Sequence, residues 1–247
     1  MWAAEPGAVV RERVQRLAAE LALPMADDLA AGFDLLLTVF AARLEVRSTQ
    51  RGGPGPVFVD FVGGRLGYNR RAGRFGRLFD ALGPRSATET VLDATAGLGQ
   101  DAFLLAYHGY RVTAVERSPI VAALLADGLE RASGVPKLQQ AVTTRLRLVR
   151  ADARDYLLSL APAQAPAVVY LDPMYPVGKQ AALVRKELRI LRQLVGDDED
   201  AGELFVAARR VARRRVVVKR MRSSPALAPE PSRTYQGRAV RYDVYDV

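Results

Sequence analysis

The chain has 247 residues, of which 49% are apolar; it contains no cysteine and one histidine, His108. This length suits one large α/β domain, alone or with a small appendage. The composition excludes disulfides, thiolate nucleophiles, cysteine-ligated zinc or iron–sulfur centres and any His-rich metal site. Net charge is +9 and the isoelectric point about 10.1, which points to a polyanionic partner such as nucleic acid. Of the 36 basic residues 32 are Arg; codon bias explains Arg over Lys but not the excess of bases over acids. With no apolar core of signal-peptide type near the N-terminus and no stretch long enough to span a bilayer, a cytoplasmic location is expected.

The spacing of Val10, Val14, Leu17 and Leu21 predicts a helix over residues 8–22, ended by Pro24. Two short strands are expected at 35–40 and 43–47, joined at Ala41-Ala42, and a third at 57–61, where Val57, Val59 and Phe61 alternate with Phe58 and Asp60. These elements make a small N-terminal α/β appendage over residues 1–70, followed by a main domain over 71–247. Residues 65–85 are basic. Arg70, Arg71 and Arg74 are candidate phosphate contacts, while Phe75, Leu78, Phe79 and Leu82 suit the buried side of a helix.

From Thr90 the pattern alternates between strands and helices, as in a doubly wound parallel sheet. Strands are expected at 91–92, 111–115, 146–149, 168–171 and 216–218. Helices are expected at 102–108, 119–131, 155–160, 179–194 and 203–212. Residues 233–236 and 240–246 flank Gly237 as a terminal hairpin. Val168 to Leu171 is an unbroken apolar run that meets Asp172-Pro173-Met174-Tyr175. Pro173 cannot extend a ladder, so Asp172 and Tyr175 fall at the carboxyl edge of the sheet, where open α/β sheets bind ligands. An acid, a backbone carbonyl and an aromatic face suit a planar base held by its exocyclic amine.

Gly97-Leu98-Gly99 lies between a strand and a helix, and Gly97-x-Gly99-x-x-Ala102 with Glu116 also fits a dinucleotide fingerprint. Three features favour S-adenosylmethionine over a nicotinamide cofactor. Asp93 precedes the glycines, where a cationic or amino-bearing ligand wants an acid. Asp93 and Asp101 would repel a pyrophosphate at the helix N-terminus. The Asp172-Pro173 strand end has no role in hydride transfer.

The Asp-x-x-x-Gly-x-Gly turn at 93–99, the acid Glu116 and the Asp172-Pro173-Met174-Tyr175 strand end resemble a Rossmann-like class I methyltransferase acting on an amino group. The stretches 57–64, 93–103, 121–129 and 169–176, with Val216-Val217-Val218-Lys219-Arg220 and Arg241-Tyr242-Asp243-Val244-Tyr245, resemble the bacterial 16S rRNA guanine-N2 methyltransferase family that modifies guanine 1516. The resemblance runs from about Leu35 to the C-terminus. It implies a mostly parallel seven-stranded sheet with a C-terminal antiparallel hairpin. It also implies S-adenosylmethionine contacts at Gln100, Asp101, Glu116, Arg117, Asp152, Ala153 and Asp172, with Glu116 on the ribose hydroxyls and Asp152 beside the adenine. Gln100 stands where the family commonly has Arg.

The expected chemistry is methyl transfer to a base amine held by Asp172 and the Pro173 carbonyl, with Tyr175 stacking on the base. Lys179, Arg185, Lys186, Lys219 and Arg220 are expected to form a basic rim that tracks 16S rRNA or 30S-subunit phosphates. The run Arg209, Arg210, Arg213, Arg214 and Arg215 reads instead as a solvated face, and His108 as structural. The rival readings are an adenine-N6 methyltransferase, a nicotinamide-dependent oxidoreductase, and a non-catalytic RNA-binding assembly factor.

Overall fold

A computed structural model describes residues 1–26, 32–63, 67, 76–84, 89–174 and 186–247, the side chains of 186–188 excepted. The expected contacts Arg70, Arg71, Arg74, Tyr175, Lys179 and Arg185, and the side chain of Lys186, lie outside these.

The N-terminal part is a three-stranded sheet and a helix. Strand β1 (Trp2–Ala3) runs parallel to β2 (Leu35–Val39), which pairs antiparallel with β3 (Leu44–Ser48). Helix α1 (Ala8–Leu21) buries Val10, Val14, Ala18 and Leu21, the stripe its spacing dictates, and ends at Ala22 in a left-handed conformation.

The third strand expected at 57–61 does not form. Only Val57 bridges to Val46, through two backbone hydrogen bonds of 2.8 Å. The alternation is nevertheless inward-facing, because Val57, Val59 and Phe61 are all buried. Their target is helical: Phe61 stacks on Phe103 with ring centroids 4.4 Å apart, and the Val59 carbonyl accepts from the Arg131 guanidinium. Arg13 of α1 pairs with the buried Asp127 at 2.5 Å, which also holds Arg131 at 2.9 Å. The N-terminal part therefore shares one continuous core with the main sheet.

The first short helix of the main part, α2, is Leu78–Leu82. The main sheet comprises β4 (Thr90–Asp93), β5 (Arg111–Glu116), β6 (Leu146–Arg150), β7 (Val168–Leu171), β8 (Arg215–Met221), β9 (Arg233–Gln236) and β10 (Val240–Asp246). Its order is β6-β5-β4-β7-β8-β10-β9. Every pair is parallel except those of β10, which is antiparallel to both β8 and β9. This is the Rossmann-like class I arrangement. The chain builds outward from β4 to β6 and then returns to the other side of β4, so strand order reverses between β4 and β7. That switch point opens a crevice at the carboxyl ends of the two strands.

Alternate residues of the central strands feed two cores. Val91, Tyr170, Val217 and Val244 pack under α3 (Gln100–Tyr107) and α4 (Pro119–Ser133). Leu92, Val169, Leu171, Val216 and Val218 pack under α6 (Ala153–Ser159) and α8 (Ala201–Val211). Each such Val or Leu contributes about 1.5–3 kcal/mol by burial. Between them α5 (Pro136–Gln140), which the sequence reading did not foresee, leads into a π turn at Ala141–Arg145. Helix α7 (Lys186–Val195) is the described end of the helix expected at 179–194.

The five-arginine run divides. Arg209, Arg210 and Arg213 are exposed as expected. Arg214 instead pairs with Glu89 at 2.5 Å and donates to the Leu82 carbonyl at 2.6 Å. Arg215 is buried, donating to the Ala81 carbonyl at 3.2 Å and pairing with Asp246 at 3.2 Å. These two find backbone acceptors at the end of α2, which a solvated face would not supply. Among the described residues no helix is long and apolar enough to cross a membrane.

Candidate active site

The register of β7 on β8 pairs Leu171 with Val218, which sets Asp172 beside Lys219 just past the ladder. The Lys219 ammonium lies 2.8 Å from Asp172 Oδ2 and 2.7 Å from Asp101 Oδ2, at the first turn of α3. The Tyr170 hydroxyl donates to the same Asp101 oxygen at 2.7 Å. Burial alone would lower the Lys219 pKa, but Asp172 and Asp101 override it and hold the ammonium well above its usual range. Asp101, despite its burial, is held low by Lys219 and by the Tyr170 hydroxyl. Asp172 is raised by partial desolvation at the strand end and by Asp101, against the pull of Lys219.

The glycine loop is tied to this strand end. The Asp172 amide donates to Thr95 Oγ1 at 2.6 Å, and the Thr95 amide donates to Asp93 Oδ1 at 3.2 Å. Asp93 is buried, and desolvation followed by repulsion from Asp101 raises its pKa well above the ordinary value. The Gly97 amide donates to Glu116 Oε2 at 2.8 Å and the Ser118 amide to Glu116 Oε1 at 2.7 Å. Burial raises the Glu116 pKa and those two amides oppose it.

A cleft of about 660 Å³, counting its part open to solvent, lies over these groups. Gly97, Glu116, Arg117, Asp152, Ala153 and Asp172 line it. Asp152 caps α6 by accepting from the Arg154 amide at 2.9 Å; although desolvation raises it, the amides of Arg154 and Asp155 hold its pKa below the usual range. Arg117 pairs with Asp200 at 3.0 Å and with Asp198, which also accepts the Met174 amide at 2.6 Å. Leu191 and Val195 of α7 add an apolar wall.

The family model described as "Putative SAM-dependent methyltransferase" matches residues 16–247. The protein named ribosomal RNA small subunit methyltransferase J in Thioalkalivibrio sulfidiphilus is 50% identical over 96% of this chain and 93% of its own length. Its namesake in Coxiella burnetii is 43% identical over 94% and 91%. This chain belongs to the ribosomal RNA small subunit methyltransferase J family. A solved SAM-dependent methyltransferase from Neisseria gonorrhoeae, 32% identical, superposes with a TM-score of 0.76 over 99% of this chain and 94% of that one.

The cofactor of this S-adenosylmethionine-dependent family fits the cleft. Gly97 has φ +53°, and a Cβ placed there would meet only the Thr95 carbonyl at 3.9 Å, so bare backbone faces open space. Each Glu116 oxygen accepts one amide and keeps a lone pair, a donor set suited to vicinal hydroxyls.

Other sequence-predicted residues sit elsewhere. Gly99 does not face the cleft: its φ is +70°, its amide is spent on the Ala96 carbonyl, and a Cβ would fall 2.4 Å from Leu125 Cδ1. It permits close packing of the loop on α4. Gln100 is exposed and Asp101 points into the lysine network, so neither lines the cleft; Asp93 lies beneath it. Lys219 is not on an outer rim, since its ammonium is spent on two carboxylates. Arg220 is buried and donates to the Pro225 carbonyl at 2.9 Å, which removes it from a phosphate-contacting surface. His108 ends α3 and packs against Phe79 with ring centroids 4.6 Å apart. The sequence reading missed Thr95, Tyr170, Arg154 and Asp198, whose roles depend on which strand ends become neighbours.

Proposed function

We propose that this chain methylates the exocyclic N2 amine of a guanine in 16S rRNA, guanine 1516, using S-adenosylmethionine. The names of its relatives support a small-subunit rRNA substrate. The observation that carries the amine reading is Asp172. One of its oxygens is engaged by Lys219, while 40% of the side chain stays accessible at the strand end beside the cleft.

S-adenosylmethionine supplies an electrophilic methyl group on a sulfonium. Glu116 would hold ribose hydroxyls, Asp152 and Ala153 would face the adenine, and Arg117 would close the cleft through Asp198 and Asp200. Asp101 adds negative charge beneath a cationic ligand, Asp93 holds the loop through the Thr95 amide, and Gly97 lets the ligand approach the backbone. The guanine amine is a poor nucleophile because its lone pair is delocalised into the ring. Asp172 and the Pro173 carbonyl would accept its two N–H bonds and aim the lone pair. The raised Asp172 pKa suits a group that takes up the amine proton as the product forms. Tyr175 is proposed to stack on the extruded base. Arg70, Arg71, Arg74, Lys179, Arg185 and Lys186 are proposed to contact rRNA or 30S phosphates. Residues 1–70 are proposed as an appendage to the methyltransferase domain at 71–247.

The test is transfer of labelled methyl to 16S rRNA and 30S subunits from cells lacking the enzyme, followed by nucleoside digestion. N2-methylguanosine is the expected product. Label in N6-methyladenosine, or in neither RNA substrate, contradicts the reading.

A further inference from the structure

A lysine is rarely buried unless its charge is met. Lys219 is 22% exposed in its side chain and meets two acids from different elements, Asp101 of α3 and Asp172 after β7. The geometry points to Lys219 as a positioning residue: anchored on Asp101, it fixes Asp172 Oδ2 and leaves Oδ1 turned to the substrate amine. This rests on the proposed role of Asp172.

Three features give the arrangement a direction. Tyr170, whose pKa is driven far up by burial and then by Asp101 and Asp172, stays protonated and donates to Asp101. Asp101 therefore accepts from both Tyr170 and Lys219, and the ammonium is located before any ligand arrives. The Asp172 amide is fixed independently by Thr95 Oγ1. Backbone and one carboxylate oxygen are thus both pinned, and among the described residues no other side chain is bonded to Asp172. With the backbone and Oδ2 both held, the side-chain torsions are set, and Oδ1, unengaged among the described residues, is the acceptor. The charge follows the same design. Asp93 from β4, Asp101 from α3, Asp198 before α8, and Tyr170 and Tyr242 from β7 and β10 surround Asp172 and Lys219. Lys219 is the cation in that group that opposes protonation of Asp172.

The experiment compares wild type with Lys219→Met, Lys219→Arg and Asp172→Asn on 16S rRNA or 30S subunits. Affinity for S-adenosylmethionine is measured separately by calorimetry. Lys219→Met is expected to lower kcat on the order of 10-fold or more and to move the acid limb of the kcat profile to higher pH. Its cofactor affinity should be equal or greater, because a cation beside a sulfonium site is removed. Lys219→Arg should recover part of kcat and restore the acid limb. A lysine that only held the fold would lose cofactor affinity together with kcat, without shifting the limb, and that outcome overturns the inference. If Lys219→Met does not fold, Lys219→Met with Asp101→Asn removes the stranded charge; because Asp101 itself raises Asp172, the limb then shifts less, and the expected result is a lowered kcat with cofactor affinity retained. An inactive Asp172→Asn beside a Lys219→Met with wild-type rate and pH profile sinks the lysine role alone. A fully active Asp172→Asn sinks the underlying amine reading.

Discussion

The Thr95 hydroxyl accepts the Asp172 amide at 2.6 Å, so the glycine loop and the strand end are joined by one hydrogen bond across the switch point. Thr95→Val keeps the shape and deletes the acceptor, leaving a part-buried amide unmet at a cost of about 1–3 kcal/mol. Turnover is expected to fall on the order of 10-fold, with a lower melting temperature. Thr95→Ser should stay near wild type. Equal kinetics for the Val and Ser variants would show that the bond does not hold Asp172 in place.

Gly128 lies within α4, where Ala would ordinarily stabilise by about 1 kcal/mol. Here a Cβ would fall 2.3 Å from Val59 Cγ1 and 2.6 Å from Val59 Cβ. Gly128→Ala must push the 57–61 segment off the helix, and a net loss of about 1–3 kcal/mol is expected. Chemical denaturation gives the sign. A stabilised variant would show that the segment yields without cost.

Asp93 has its folded pKa raised above the ordinary 3.8, by burial first and then by Asp101. The folded state therefore holds this proton more tightly than the unfolded chain. Stability is not penalised below the unfolded value and declines as pH rises from there towards the folded value. Asp93→Asn is expected to raise the melting temperature of the cofactor-free protein by a few degrees at pH 7. The gain should vanish below about pH 4. A gain independent of pH would show that Asp93 is not the group responsible.

Glu116 holds the amides of Gly97 and Ser118 and keeps a lone pair on each oxygen. Glu116→Ala is expected to weaken S-adenosylmethionine binding by roughly 10-fold to 100-fold, from about 1.5–3 kcal/mol per charged hydrogen bond. Calorimetry with the isolated protein checks this. Unchanged affinity would remove Glu116 from the cofactor site.

Much of this fold was legible because local patterns carry it. The unbroken Val168–Leu171 run and the Pro173 stop located the central strand and its functional end. The pattern at Val57, Val59 and Phe61 said which side chains face inward but not what they face, so a segment docked on helices read as a strand. Gly97 and Gly99 share a motif but serve different ends, because one backbone position faces the cleft and the other faces Leu125. Lys219 read as a surface cation. Its true position follows from the pairing of Leu171 with Val218, a long-range register that no local spacing encodes. Arg214 and Arg215 differ from their arginine neighbours only through acceptors at Ala81 and Leu82, far away in sequence.

In the proposed reaction Asp172 acts on the substrate amine. The most direct test of this is single-turnover methyl transfer to 16S rRNA or 30S subunits by wild type and Asp172→Asn, at saturating S-adenosylmethionine and with cofactor affinity measured in parallel. A fall of about 100-fold or more in N2-methylguanosine formation is expected, with cofactor binding retained. Transfer at the wild-type rate by Asp172→Asn would contradict that role.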